Sequence, residues 1–331
     1  MTFVAEGALV PDADAPAPGE IYRDPVYDGA TDPTVVRATD GTWWMFYTQR
    51  RASHPAPGPG VAWVHGSRIG VAHSADGLRW DYAGTLEPTP AGLALDPDGP
   101  PVTVTETHWA PEVIHDGARW RMFLTEIDGI PDAWPGHARH IVAYASDDLA
   151  TWERQGPLAL DGDRVIDAAV ARCPDGLWRL WYKDEAADSV TKVAASDDLV
   201  SWRSEGTAIA GRPHEGPYAF TLSGRWFLLT DEWRGMAVYT SDDAIAWTRQ
   251  GGADAVILGE HGPADLGVQV GRHGMVVVDA ETDTARLYYF THPWWDGHEI
   301  ADAAPDAARR SAVHVATLRI DADGTLICRR S

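Results

Sequence analysis

The sequence predicts an all-β fold, a single-domain five-bladed β-propeller, and three observations carry that expectation. A seven-residue figure, Ser-x-Asp-x-x-x-Trp, recurs along the chain. A strand–hairpin–strand pattern recurs upstream of it. The step from one copy to the next is about the length of one propeller blade with its loops.

The figure occurs at Ser74–Asp76–Trp80, Ser146–Asp148–Trp152, Ser196–Asp198–Trp202 and Ser241–Asp243–Trp247, and a glycine follows four residues after each Trp: Gly84, Gly156, Gly206 and Gly251. A β-rich run leads into each copy (IGVAH, IVAYA, TKVAA, MAVYT). The figure therefore reads as a tight turn between two strands, its Ser and Asp bonding the turn backbone and its Trp packing under its own unit. These residues are expected to hold the units together and to carry no chemistry.

Upstream lie DPTVVRATDGTWWMFYT (32–48), WAPEVIHDGARWRMFLT (109–125), DAAVARCPDGLWRLWYK (167–183) and EGPYAFTLSGRWFLLT (215–230), with a divergent fifth copy at 265–293 followed by SAVHVATLRIDADGTLIC. Asp-Gly between β-rich runs is a strong hairpin signal. Each unit is thus four antiparallel strands. Residues 1–20, rich in Pro, Ala, Asp and Gly, are expected to form an arm, and 21–331 the propeller. Blade five is completed either by the last strands or by pairing with the N-terminal arm.

Of the 331 residues, 44% are hydrophobic and 23% charged, ordinary values for a globular protein, and the formal charge is −22. That charge repels nucleic acid and anionic membranes and suits a neutral substrate. Lys183 and Lys192 are the only lysines, and Cys173 and Cys328 the only cysteines, too few for a disulfide framework or a zinc site. The N-terminal MTFVAEGALV lacks the basic start and apolar core of a signal peptide, and no stretch suits a membrane span, so a cytoplasmic protein is expected.

In a propeller the first strand of each unit lines the central channel. Counting nine residues back from the hairpin glycines Gly41, Gly176 and Gly224 lands on Asp32, Asp167 and Glu215, so three carboxylates are expected at one rung of the channel mouth. The same count from Gly117 reaches His108, with Trp109 and Glu112 close by, and His273 is the inward polar residue of the fifth unit. One acid at a strand start is as readily a turn cap as a functional group; three in register are costly unless solvated, metal-bound or used. The loops at that end (49–68, 126–140, 184–190, 231–235, 291–311) contain Trp63, Trp134, Trp233, Trp294 and Trp295. Aromatic faces around an acid-lined cavity suit a sugar, whose C–H face stacks while its hydroxyls bond. Some of these rings are expected only to pack the loops, with two or three touching ligand.

TDPTVV (31–36), HWAPEV (108–113), VIDAAV (165–170) and HEGPYAF (214–220) resemble the successive blade-start motifs of glycoside hydrolase family 43, related to families 62 and 117, over about residues 20–320. The resemblance implies an inverting, exo-acting hydrolase of short oligosaccharides or glycosides, with α-L-arabinofuranosides or β-xylosides favoured. It places the general base on Asp32, the pKa-modulating aspartate on Asp167 and the general acid on Glu215, with Asp167 raising the pKa of Glu215. His108, Trp109, Glu112, Trp233, His273, Trp294 and Trp295 fall in substrate-binding positions. Ala168 replaces the proline that often follows the modulating aspartate, and Asp24, in another Asp-Pro pair, rivals Asp32. The family 117 likeness gives His273 a larger role, that of an acid, on anhydrogalactose or other unusual sugars. No cofactor is expected; a structural Ca²⁺ in the channel is the single ion left open. The reading from another class is a carbohydrate-binding propeller without catalysis.

Overall fold

The structure, a computed structural model, describes residues 16–97, 104–259, 270–279, 281–295 and 306–330. Most of the expected arm, the start of the fifth copy (265–269) and the loop residues 296–305 lie outside the described residues.

The chain is nearly all β. After β1 (Glu20–Tyr22), the first unit is β2 (Ala30–Arg37), β3 (Trp43–Gln49), β4 (Arg68–Ser74) and β5 (Asp81–Thr89), extended by β6 (Gly92–Asp96). The second is β7 (Glu106–His115), β8 (Trp120–Asp128), β9 (His140–Ser146) and β10 (Thr151–Pro157). The third is β11 (Val165–Arg172), β12 (Trp178–Asp184), β13 (Val190–Ser196) and β14 (Arg203–Ile209). The fourth is β15 (Glu215–Leu222), β16 (Arg225–Asp231), β17 (Met236–Ser241) and β18 (Thr248–Arg249). The last is β19 (Arg272–Asp279), β20 (Thr284–Thr291), β21 (Ala312–Ile320) and β22 (Leu326–Arg330). All pairings between consecutive strands within a unit are antiparallel. Strand β6 pairs with both β5 and β10 and so joins the first two units edge to edge. Both options for the last unit occur together. Strand β22 pairs along one half of β21, and β1 pairs along the other half through Glu20 and Tyr22.

The first strands neighbour one another in the cycle β2, β7, β11, β15, β19 and back to β2. The apolar core is correspondingly divided among the interfaces between units. Phe46, Ile69, Met122 and Trp152 join the first and second units. Phe123, Ile141, Leu180 and Tyr182 join the second and third. Trp181, Val193, Leu228 and Tyr239 join the third and fourth. Phe227, Leu229, Leu287 and Tyr289 join the fourth and last. Met45, Tyr47, Tyr288 and Val313 join the last to the first. These sheets are compatible with a propeller.

The repeated turn has the expected bonds. In the second unit Asp148 Oδ1 accepts from the backbone N–H groups of Ala150 and Thr151 at 2.9 and 2.7 Å, while Ser146 Oγ accepts from Leu149 at 2.9 Å. The other three copies repeat the arrangement. The tryptophans differ from expectation. Each meets an aromatic ring of the preceding unit, edge to face: Trp80 with Tyr288, Trp152 with Phe46, Trp202 with Phe123 and Trp247 with Trp181, at 6.3, 5.8, 6.0 and 6.1 Å between centroids. A four-stranded sheet is one layer thick, so a ring of this size is buried only against the neighbouring sheet. The motif is therefore a stitch between units, and Trp80 on Tyr288 joins the two ends of the cycle.

This geometry separates two contributions to stability. Trp152→Ala removes a ring that is 1% exposed and should cost about 3–5 kcal/mol, whereas Asp148→Ala removes bonds to turn amides and should cost about 1 kcal/mol. Urea unfolding of both variants checks this; equal losses would contradict the stitching role.

Candidate active site

Each first strand begins with the same irregularity. The ladder slips by one residue between Thr31 and Thr34, Trp109 and Glu112, Ile166 and Ala169, Glu215 and Tyr218, and Arg272 and Met275. At each slip one residue takes positive φ: Asp32 (48°), Ala110 (45°), Asp167 (59°), Gly216 (54°) and His273 (21°). Such a bulge bends the strand and re-aims one side chain. Left-handed backbone is uncommon for residues other than glycine, and Asp tolerates it better than most.

This equivalence corrects the register read from the hairpin glycines. Asp32 and Asp167 do share a rung, but its fourth-unit member is Gly216, and Glu215 belongs one residue earlier, with Thr31, Trp109, Ile166 and Arg272. In the second unit the rung holds Ala110, not His108. The count failed because the hairpins differ in length, spanning 38–42, 116–119, 173–177 and 223–224. The signal that survives in the sequence is the bulge pair itself: Asp32-Pro33, Ala110-Pro111, Asp167-Ala168, Gly216-Pro217 and His273-Gly274.

Four of the five bulges are bonded from neighbouring units. Thr48 Oγ1 accepts from Ala110 N–H at 2.8 Å, Thr125 Oγ1 from Asp167 N–H at 3.3 Å, and Asp231 Oδ2 from His273 N–H at 3.1 Å. Asp167 itself accepts from Gly216 N–H at 3.0 Å. Gly216 also makes room: a Cβ there would stand 2.7 Å from the His273 ring.

Asp32, Asp167, Glu215 and His273 all line one cavity of about 570 Å³. His273 Nδ1 lies 3.4 Å from Asp32 Oδ1 and 4.0 Å from Asp167 Oδ1. Burial disfavours the imidazolium, but Asp167 and Asp32 outweigh it and push His273 up to about 9. Burial would raise Asp32, yet Arg50, with NH2 at 3.6 Å, and His273 hold it well below the usual carboxylate range. Asp167 goes the other way, to about 6, through burial and the nearby charge of Glu215, which His273 and Lys183 only partly offset.

Glu215 departs from the sequence expectation. Lys183 Nζ lies 3.0 Å from its Oε2, and this ammonium outweighs burial, holding Glu215 below its ordinary value. Of this pair Asp167 is therefore the more readily protonated member. The expected effect of Asp167 on Glu215 is present but loses to Lys183. Lys183, on β12, was passed over in the sequence; as one of two lysines among 27 basic residues it carried a compositional signal.

Other lining residues were also not singled out: Arg50, Arg139, Ile166, Glu185, Arg272, Phe290 and His292. Arg139 pairs with Glu185 and lies over the Trp109 ring at 5.1 Å. Asp231, behind the lining, is raised to about 7, chiefly by burial. It accepts from Trp233 N–H at 2.7 Å as well as from His273 N–H, so one carboxyl positions both residues.

The residues placed in binding positions divide. Trp109, Trp233, His273 and Trp295 line the cavity, as do Trp63 and Trp134 from the loops. His108 does not: it is buried beside Arg68 and Glu106, and burial pulls its pKa down to about 3. Glu112 sits past the bulge, accepting from Val170 N–H at 3.2 Å and meeting Thr34 Oγ1 at 3.5 Å, and burial raises it to about 8. Trp294 packs under Arg23 at 4.4 Å instead. Asp24 is fully buried away from the cavity lining, accepting from Tyr47, Gln49 and Tyr27, which makes it a structural anchor.

Among the described residues no group of three or more His, Cys, Asp or Glu is placed to hold a metal ion.

No family model matches the chain, and no curated protein matches it. Solved structures do. A thermostable family-43 glycoside hydrolase is similar over 94% of this chain and 97% of its own, with TM-score 0.62 and 19% identity. A family-43 β-1,3-galactosidase with galactodeoxynojirimycin is similar over 95% and 98%, with TM-score 0.66 and 13% identity. An α-L-arabinofuranosidase from Lactobacillus brevis is similar over 92% and 95%, with TM-score 0.62 and 17% identity. The fold of this chain is thus a propeller like that of the family-43 glycoside hydrolases.

Proposed function

We propose that the protein is a five-bladed propeller, catalytic from residue 21 onward, that hydrolyses glycosidic bonds with inversion. The five-bladed reading draws on the cycle of first strands and on the apolar interface between the last and first units. The enzymatic reading rests on one observation above the others: Asp32, Asp167 and Glu215 line a single tryptophan-walled cavity.

In this reading Asp32, kept ionised by Arg50 and His273, takes a proton from water as that water attacks the anomeric carbon. Glu215 delivers a proton to the leaving oxygen from the other side of the ring. Lys183 holds Glu215 ionised in the free cavity, so the acid must gain its proton as substrate binds. A sugar that excludes water favours this uptake, because two adjacent desolvated carboxylates resist being ionised together. The tryptophans that wall the cavity support a reading in which short oligosaccharides or glycosides are cut by exo action. Arabinofuranosides and xylosides are the first substrates to test: the family resemblance favours them, and an arabinofuranosidase is among the similar structures. A second reading makes His273 the proton donor, favoured by its raised pKa and by the pairing of Glu215 with Lys183.

Nitrophenyl glycosides and arabino-, xylo- and agaro-oligosaccharides, with product anomers followed by NMR, test the reaction class; binding without any product release would leave a carbohydrate-binding propeller. Asp32→Asn and Glu215→Gln should each lower kcat/KM by about two to three orders of magnitude. Near-normal turnover in Glu215→Gln together with its loss in His273→Asn would transfer the acid role to His273.

The pH profile separates the parts further. An acid must be protonated to act, and Lys183 makes Glu215 lose its proton at lower pH. Lys183→Met should therefore move the basic limb of kcat/KM upward by about one pH unit or more. Asp167→Asn removes a neighbouring negative charge and should move that limb downward. Opposite signs in a pH–rate series would sink the assignment of Glu215.

A further inference from the structure

We propose that the glycoside accepted by this cavity carries an oxyanion, a carboxylate or a sulfate ester, seated against Arg50 and Arg272. The inference deepens the glycosidase reading and rests on it for the word glycoside.

The charges around the cavity are matched with one exception. Asp32 faces Arg50 at 3.6 Å and His273 at 3.4 Å, and His273 also approaches Asp167 at 4.0 Å. Glu215 is paired with Lys183 at 3.0 Å, and Glu185 with Arg139 and with Lys183 at 3.5 Å. Arg272 lines the same cavity, and among the described residues it has no ion pair within 4 Å, although its charge acts on the buried Asp231 behind the lining; its guanidinium lies over the Trp295 ring at 5.1 Å. Stacking on an aromatic face holds an Arg fork in place without using its N–H donors.

Arg50 is also under-used. Its approach to Asp32 is too long for a hydrogen bond, and its Nε is buried with no partner. The guanidinium lies over Phe290 at 5.3 Å, and Phe290 is the cross-strand partner of Arg272. Both cations act on the neighbouring His292, which burial and their charges depress to about 3. The carbonyl of Arg310 accepts from His292 Nδ1 at 3.0 Å, so this neutral ring keeps Nε2 as an acceptor for a sugar hydroxyl.

Two guanidiniums with spare donors on one wall, beside a neutral imidazole and two aromatic faces, form a receptor for a planar or tetrahedral oxyanion on a sugar. A neutral sugar can offer Arg272 only hydroxyl oxygens, whereas an oxyanion matches its charge as well as its donors. In a chain of formal charge −22 an arginine in this cavity with no ion pair among the described residues is not explained by bulk composition.

The test is binding of free sugars, which needs no turnover. D-glucuronate, D-galacturonate and galactose 6-sulfate are titrated calorimetrically against glucose and galactose, with wild type, Arg272→Gln and Arg272→Lys. We expect an acidic sugar to bind at least about tenfold tighter than its neutral counterpart, with a preference that shrinks as salt is raised. Arg272→Gln should abolish most of that preference, a loss of about tenfold, with Arg272→Lys intermediate. Whether the carboxylate or the sulfate gains more identifies the oxyanion. Equal binding of acidic and neutral sugars by wild type would overturn the proposal, as would a folded Arg272→Gln that keeps the preference. Should Arg272→Gln not fold, the salt dependence and Arg272→Lys decide. Hydrolysis of neutral glycosides without an anion preference would remove this inference and leave the glycosidase reading. An anion preference without hydrolysis of any glycoside would do the reverse.

Discussion

The site depends on one backbone constraint: every first strand starts with a bulge whose central residue has positive φ. Five such strands lie side by side in a cycle, so the bulges bring Asp32, Ala110, Asp167, Gly216 and His273 to one end. At Ala110, Asp167 and His273 the strained conformation is held by bonds from adjacent units, through Thr48, Thr125 and Asp231. Local strain of this kind persists where the surroundings over-determine it, and here the surroundings are the neighbouring sheets. The packing that closes the molecule and the geometry that positions its acids are therefore one arrangement.

Within that frame the cavity separates four carboxylates with interleaved cations. His273 lies between Asp32 and Asp167, Lys183 serves Glu215, and Arg139 serves Glu185. The consequence is divergence of proton affinity among groups of similar chemistry: Asp32 is depressed while Asp167 is raised. Asp231 and Glu112, raised by burial, stand behind the lining and bond backbone amides, so they hold the strands that carry the lining side chains without entering the cavity.

The aromatic residues divide by the same logic of neighbours. The tryptophans of the repeated turn join sheets, and Trp63, Trp134, Trp233 and Trp295 of the loops, with Trp109 of the second-unit bulge, wall the cavity. Trp294 and Trp295 are adjacent in the chain yet differ in environment, one under Arg23 and the other under Arg272 at the cavity. No composition count could distinguish them.

What the sequence determined by itself was periodic: the turn figure, the hairpins and the strand runs, since these depend on bonds between residues a few positions apart. Asp32 and Asp167 were legible too, because each opens a bulge pair at the same distance from a hairpin of equal length. Register in the second and fourth units, the pairing of Lys183 with Glu215, the partner rings of the four tryptophans and the position of Arg272 were settled only by the tertiary structure. Each depends on which residue of the next sheet stands opposite. That choice is made by packing between units distant in the chain, and a hairpin shortened from residues 173–177 to 223–224 shifts it without leaving a local trace.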